Sequence, residues 1–451
     1  MRIPSCLYPL TPRSALASKR KRPAPRHLML EVLEARDCPS GGLLDPTFNG
    51  SGTETFSTSQ IIMDSTAVQP DGKIVAVGHV IGKKGASELE VLRLNPDGTP
   101  DKTFNGTGSE TLTVLGEGDA VAFQPDGKIL VGGVADPPHT GIEYAVTRLN
   151  ANGSLDTTFG TKGVWTLNLF ADASESVSRL AVLTDPNNPS VVTGIIVGGR
   201  GEAADGTPGA VVAIKLTPNG ALDSTFGSSG VFTFGIGIGS NTGNMGMAVS
   251  TSGEIFLANS TELSNPDGTN TYYGLLVDVN PTGHLNTAFN GTGYLLDNPG
   301  GSTYTEFHAV AIQGNALVVA GDVVDAAGVE QGLVARYTLG GAVDPTFGSS
   351  GYYITTFAPP LGLSFTDLKL EGDGSIVVCG WSQDSNPGLA SLIVGHLSAD
   401  GAVDTSFGSS GTGFTYLANW GAPSTGERVS IGPDGKIVVN GSLEIARYTA
   451  P

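Results

Sequence analysis

The chain is poor in cysteine, charge and tryptophan, and each shortage excludes something. Its three cysteines are Cys6, Cys38 and Cys379, and only the last lies beyond residue 40. No disulfide framework can therefore form in the body, and no cysteine pair has metal-ligand spacing. In its setting Val377-Val378-Cys379-Gly380, Cys379 reads as a small buried hydrophobe in a strand rather than a nucleophile. Charged residues make up only 15% of the chain, which excludes an acidic disordered polyelectrolyte. Windows rich in Leu, Lys and Glu at helical spacing are missing. No apolar run approaches the roughly 18 residues a membrane-spanning helix needs, so no transmembrane segment is expected and the body should be soluble.

The charge is unevenly placed. Residues 1–40 carry eight Lys and Arg against Glu31, Glu34 and Asp37, a net of +5, while the whole chain carries −19 and the remainder −24. An acidic body repels phosphate backbones, so nucleic acid is excluded as the expected partner, and cations are attracted. The leader, with Lys19-Arg20-Lys21-Arg22 followed by Pro23-Ala24-Pro25, lacks the apolar segment of a secretory signal and reads as a flexible, disordered basic arm.

Glycine is abundant: 65 of 451 residues, about twice the usual ~7%. It accompanies a motif that returns seven times, first as Leu44-Asp45-Pro46-Thr47-Phe48, with its phenylalanine at Phe48, Phe104, Phe159, Phe226, Phe289, Phe347 and Phe407. A near-constant period of this size means one supersecondary unit copied along the chain. The unit beginning at Phe104 shows the pattern. A strand over Ser109 to Val114 is followed by a second over Ala120 to Phe123. The tight turn Gln124-Pro125-Asp126-Gly127-Lys128 leads into a third over Ile129 to Gly133, and a fourth runs from Tyr144 to Leu149. Pro and Gly suit such a turn because one presets φ and the other supplies a positive φ, and two-residue hairpin turns are expected there. The units fall at about 44–98, 101–153, 155–220, 222–283, 285–341, 343–401 and 403–451.

Seven units of four short antiparallel strands specify an all-β fold, a seven-bladed β-propeller over residues 41–451 after a leader at 1–40. The parallel β-helix, with shorter coils and no hairpins, ranks below it. Leu-Asp-x-Thr-Phe, Gln-Pro-Asp-Gly-Lys-Ile and Arg-Leu-Asn-Pro-Asp-Gly together resemble the delta-60 repeat, a bacterial propeller family, over all but the leader. Leu30-Glu31-Val32-Leu33-Glu34-Ala35-Arg36 with Pro39-Ser40 resembles the Leu-Glu-x-Leu-Glu-x-Arg leader of bacterial extracellular repeat proteins. These resemblances imply the propeller fold and export to the cell surface or beyond, but no activity. Two units depart from the pattern and should form irregular blades: Asn286-Thr287-Ala288-Phe289 lacks the aspartate, and Thr184-Asp185-Pro186-Asn187-Asn188-Pro189 replaces the tight turn.

The recurring acids Asp45, Asp101, Asp156, Asp223, Asp344 and Asp404 read as turn residues that accept backbone N–H groups; calcium ligation is the lesser reading, since no second ligand recurs at fixed spacing. The phenylalanines read as blade-to-blade plugs. Pro-Asp-Gly-Lys lacks phosphate-loop spacing and is scaffold. The histidines fall at different points of the repeat, so neither a metal cluster nor another cofactor is expected. Because loops alternate between two faces, the constant turns share one face and the variable loops share the other: 82–85, 136–139, 200–205, 265–268 and 381–386. Ligands are expected on the variable face. Trp381, Trp420, Tyr272, Tyr273 and Tyr304 are the candidate binding residues there, as aromatics that suit sugar rings or protein anchors. No catalytic residue is legible. The reading is a secreted or cell-surface noncatalytic binding or scaffold module for an extracellular glycan or protein. The alternative is a polysaccharide hydrolase or lyase, which would need two carboxylates and a His or Tyr to meet at the channel mouth. With only Trp165, Trp381 and Trp420, a Trp-rich quinoprotein-like oxidoreductase ranks third.

Overall fold

The structure, a computed structural model, describes residues 41–451 apart from 57–60, 83–84, 136–140, 171–173, 203–208, 237–238, 241–244, 326, 356–361, 384–389, 409–410 and 422–427. The leader and most of the residues in four variable loops lie outside the described residues.

The strands form seven antiparallel sheets, one per blade, six of them four-stranded. Blade 1 holds β2 (Ile61–Val68), β3 (Ile74–Ile81), β4 (Ser87–Leu94) and β5 (Ser109–Leu112). Blade 2 holds β6 (Glu117–Phe123), β7 (Ile129–Ala135), β8 (Glu143–Leu149) and β9 (Val164–Leu167). Blade 3 holds β10 (Ser174–Asp185), β11 (Asn188–Glu202), β12 (Ala210–Leu216) and β13 (Val231–Phe234). Blade 4 has a fifth piece: β14 (Gly239–Ser240), β15 (Gly246–Val249), β16 (Ile255–Ser264), β17 (Asn270–Val279) and β18 (Tyr294–Asp297). Blade 5 holds β19 (Thr305–Gln313), β20 (Ala316–Val324), β21 (Glu330–Thr338) and β22 (Tyr352–Ile354). Blade 6 holds β23 (Leu363–Leu370), β24 (Ile376–Gln383), β25 (Ala390–Leu397) and β26 (Phe414–Gly421). Blade 7 is shared by the two ends of the chain: β27 (Arg428–Ile431), β28 (Ile437–Asn440) and β29 (Glu444–Tyr448) are completed by β1 (Thr53–Thr55). A single 3-10 turn, Pro299–Gly301, is the only helix among the described residues.

The first strands of successive blades pack against one another around the axis. The strand that opens each sequence unit is thus the outermost strand of the preceding blade, and the sequence unit and the blade are offset by one strand. In five blades the hairpin after the innermost strand has three residues, not two, while blades 3 and 5 turn through two residues. Gln69 N–H donates to Lys73 O at 2.7 Å and Gly72 N–H to Gln69 O at 2.9 Å, with Gly72 at φ +83°. This is a type I turn closed by a glycine bulge, the second most common way to join two strands. In blade 3 the loss of that glycine turn lets β10 and β11 run on to Asp185 and Asn188 through two register shifts.

Each of the seven apolar cores lies between the faces of adjacent blades. The motif locks those faces together. Phe104 is fully buried, and its ring lies under Gly153, in the turn of the next blade, which has φ +90°. A Cβ on Gly153 would stand 3.0 Å from that ring, so glycine is required there for space as well as for φ. The residue after each phenylalanine donates its N–H to the turn of the next blade. These bonds are Asn49 to Asp97, Asn105 to Asn152, Gly160 to Asn219, Gly227 to Thr282, Asn290 to Gly340, Gly348 to Asp400 and Gly408 to Gly41, all between 2.7 and 2.9 Å. Seven such bonds close the ring.

Phe104→Ala should lower stability by about 3–5 kcal/mol, read from the urea midpoint, as expected for a large side chain removed from a packed core. Gly153→Ala should cost at least about 1 kcal/mol more than Gly268→Ala, because Gly268 has a comparable φ of +84° but nothing within 4 Å of its would-be Cβ. Equal costs would show that the phenylalanine does not need the glycine above it.

Candidate functional site at the channel entrance

The recurring aspartates are taken up by the scaffold. Asp101 Oδ1 accepts the backbone N–H of Thr103 at 3.0 Å and its hydroxyl at 2.7 Å, while Oδ2 accepts Arg93 Nε at 2.7 Å. Arg93 also lies 4.7 Å above the Phe104 ring and donates to Ala151 O of the next blade. Burial alone would raise the Asp101 carboxyl, but Thr103, Lys73 and Arg93 outweigh it and hold the group well below the usual range. Blade 2 repeats the arrangement with Arg148 and Asp156, blade 5 with Arg336 and Asp344, and blade 7 with Arg447 and Asp45. Lys215 and Asp223 serve in blade 3, and His396 and Asp404 in blade 6, with His396 Nε2 also 3.1 Å from Glu371. Blade 4 has an acid where the others have a base. Asn286 donates there to Asp278 Oδ2 at 3.0 Å, and burial followed by the Glu254 charge pushes Asp278 up to about 7.

The channel lining has a different chemistry. Five innermost strands carry a register shift at the same depth, and the extra residues are Asp64, Asp119, Ser178, His308 and Thr366. A β-bulge bends its strand and re-aims a side chain, so a repeated bulge supplies a ring of polar positions at the axis. Across that axis Arg179 of blade 3 reaches Asp367 of blade 6 at 2.9 Å, and Asp367 also accepts Val429 N–H of blade 7 at 3.1 Å. Blades 3 and 6 are not neighbours, so this ion pair is a strut across the channel. Beside it His79 Nδ1 lies 3.3 Å from Asp64, and burial, then the Asp64 and Glu117 charges, push Asp119 up to about 8.

A second cluster sits where β19 begins, on the variable-loop side of blades 5 and 6. His308 Nε2 lies 2.8 Å from Asp322 Oδ1 and 3.5 Å from Glu306 Oε2. Ser364 of blade 6 donates to Asp322 at 2.7 Å, and Tyr304 donates its phenol proton to Glu306 Oε1 at 2.6 Å. Burial, then the Asp322 charge, pushes Glu330 up to about 8. Burial opposes charge on His308, but Asp322 and Glu306 prevail and lift it to about 8. The carboxylates thus favour the charged form of His308, and burial favours the neutral form of Glu330.

Two of the aromatics expected to bind ligand join this cluster. The half-buried rings of Tyr272 and Tyr304 lie 4.9 Å apart, tilted by 44°. Trp381, also half-buried, is the register partner of Ser364. Tyr273 pairs with Thr261 along β17, away from these contacts, and Trp420 lies in β26 with its side chain outside the described residues. The variable-loop residues 83–84, 136–139, 203–205 and 384–386 also lie outside them. Sequence reading missed Glu306, His308, Asp322, Glu330 and Ser364, which come from four strands of two blades. The one local signal was the Glu306-x-His308 alternation on a strand expected to be apolar.

Five segments match the family model described as "Domain of unknown function (DUF5122) beta-propeller": residues 69–104, 124–159, 194–226, 315–347 and 371–407. Each runs from near the first hairpin to the motif phenylalanine, and together they support a β-propeller repeat family. No curated protein matches the chain. Among solved structures, polysaccharide lyase Uly1 is 12% identical with TM-score 0.45, over 88% of this chain and 98% of its own. The β-propeller domain of the Trilobed protease from Pyrococcus furiosus is 8% identical with TM-score 0.41, over 86% and 93%. A Hadza microbial sialidase, Hz136, is 9% identical with TM-score 0.38, over 81% and 73%. Likenesses this distant carry no weight for activity.

The two kinds of aspartate should separate by pH. Asp156 is held down to about 2: burial opposes this, and Thr158 and Arg148 outweigh burial. Its contribution to stability is present above the unfolded value near 3.9 and is lost as pH falls through 2. Asp278 is raised instead, so the folded state keeps a proton that the unfolded chain releases, and stability falls as pH climbs from about 4 to 7. Asp278→Asn should match the parent's melting temperature at pH 4 and exceed it at pH 8, whereas Asp156→Asn should be the less stable protein at pH 7. Thermal melts across pH check both signs.

Proposed function

We propose that this propeller is exported and acts outside the cell or at its surface as a noncatalytic binding module of the delta-60 repeat type, taking an extracellular glycan at the variable-face entrance of its channel. The observation that carries the reading is the contrast between the two ends of each blade. On the constant face the recurring Asp, Arg and Phe are bonded to one another and to the next blade. At the variable-face entrance, half-buried Tyr272 and Tyr304 stand beside Glu306 with Trp381 nearby. Aromatic rings next to acceptor carboxylates suit the apolar faces and hydroxyl groups of a sugar.

A second reading is favoured by one specific observation: carboxylates, a histidine and a tyrosine meet at this entrance, the set a polysaccharide hydrolase or lyase requires. A glycan array probed with the full-length chain separates the two. Saturable binding that is reduced at least tenfold in Tyr272→Ala and Trp381→Ala, with no new reducing ends or unsaturated products, supports the binding module. Product release lost in Tyr304→Phe supports the enzyme, and absence of any glycan binding overturns both. The leader resemblance adds an export prediction. Deleting residues 1–40 should leave the far-UV spectrum and melting temperature unchanged while the protein fails to appear outside the cell; loss of the folded state on deletion would contradict it.

A further inference from the structure

We infer that Glu306, His308 and Asp322 form a binding site for a divalent transition metal of the zinc class. The three ligand atoms lie within 4.8 Å of one another, and all three side chains are buried, at 7, 6 and 2% exposure. A tetrahedral zinc ion with ligands about 2.0–2.2 Å away holds them roughly 3.3 Å apart. His308 Nε2 already stands 2.8 Å from Asp322 Oδ1 and 3.5 Å from Glu306 Oε2, two separations close to that spacing, so the main movement on metal binding is the two carboxylates drawing together.

The donor set selects the metal. One imidazole nitrogen with two carboxylate oxygens suits zinc and its neighbours, whereas calcium and magnesium take oxygen ligands alone. The site has the outer partners that ligating carboxylates use: Tyr304 donates to Glu306 at 2.6 Å and Ser364 donates to Asp322 at 2.7 Å. Both hydrogen bonds fix a carboxylate while leaving its other lone pairs for an ion. The ligands come from neighbouring strands of one blade, with Glu306 and Asp322 directly paired in register. Three protein ligands leave a fourth position for water or a sugar hydroxyl. The inference does not depend on the glycan reading, since metal loading is measured without any glycan.

The test uses the full-length chain stripped with chelator, then loaded with zinc, manganese, calcium or magnesium chloride alone. The expected result is one zinc per chain by mass spectrometry under native conditions, a raised melting temperature, and a cobalt-substituted spectrum typical of nitrogen and oxygen ligands in four or five coordination. His308→Gln should abolish stoichiometric zinc, while His284→Gln, at an exposed histidine in another blade, should not. Tyr304→Phe and Ser364→Ala should each weaken zinc by about 10–100-fold. If His308→Gln fails to fold, the cobalt spectrum of the parent chain and the two outer-partner variants decide the matter. Zinc binding unchanged in all three variants, no stoichiometric zinc in the parent chain, or binding of calcium in its place overturns the inference.

Discussion

A ring built from identical wedges is only as sound as the joint between one wedge and the next, and here every joint is the same construction. A buried phenylalanine sits beneath a glycine of the next blade, and the following N–H reaches that blade's turn. The geometry fixes three things together: the spacing of the blades, the φ of the glycine and the identity of the side chain below it. In four blades an arginine ties its own aspartate, its own phenylalanine ring and the neighbouring carbonyl together. The guanidinium suits this task because it is flat enough to lie on a ring while its edge donates in several directions.

The departures show which part of the joint is indispensable. Blade 3 uses lysine, blade 6 histidine, and blade 4 an acid facing an amide. None of the three disturbs the phenylalanine or the N–H that follows it. The ionic part of the joint is thus replaceable chemistry, and the apolar plug with its backbone bond is the invariant. This agrees with the modest net value of ion pairs, which must repay their own desolvation, against the several kcal/mol of a fully buried aromatic ring.

The fold was legible because its instructions are local. Each Pro-Asp-Gly or Leu-Asp-x-Thr-Phe segment closes its own hydrogen bonds within a few residues, so turns, strand count and period can be read without knowing the neighbours. The one-strand offset between unit and blade was not legible, since whether Ser109–Leu112 pairs with Ser87–Leu94 or with Glu117–Phe123 is decided by packing. The channel cluster was hidden for a related reason. Glu306 and His308 share one strand, but Asp322, Glu330 and Ser364 reach them only through pairing and through the contact between blades 5 and 6. Of the aromatics singled out, Tyr272 and Tyr304 meet because the end of blade 4 leads into the start of blade 5, which strand alternation does not encode.

Blade 7 is sewn from both ends of the chain, and its seam is short. The three residues of β1 pair with Glu444–Ala446 of β29, and Gly42 and Leu43 add bonds to Thr449. These contacts join residues almost four hundred positions apart, so their loop-closure cost falls due only after the local hairpins exist. The same seam is the mechanical fuse of the ring. A tension applied through the N-terminal side of Gly41 is borne first by the Gly408–Gly41 bond to blade 6 and by a few rungs of one edge strand, while the internal hairpins of the other six blades, each made from consecutive chain, stay out of the line of force. A propeller pulled by its N-terminal end would then yield by unzipping one strand and re-form by re-pairing it.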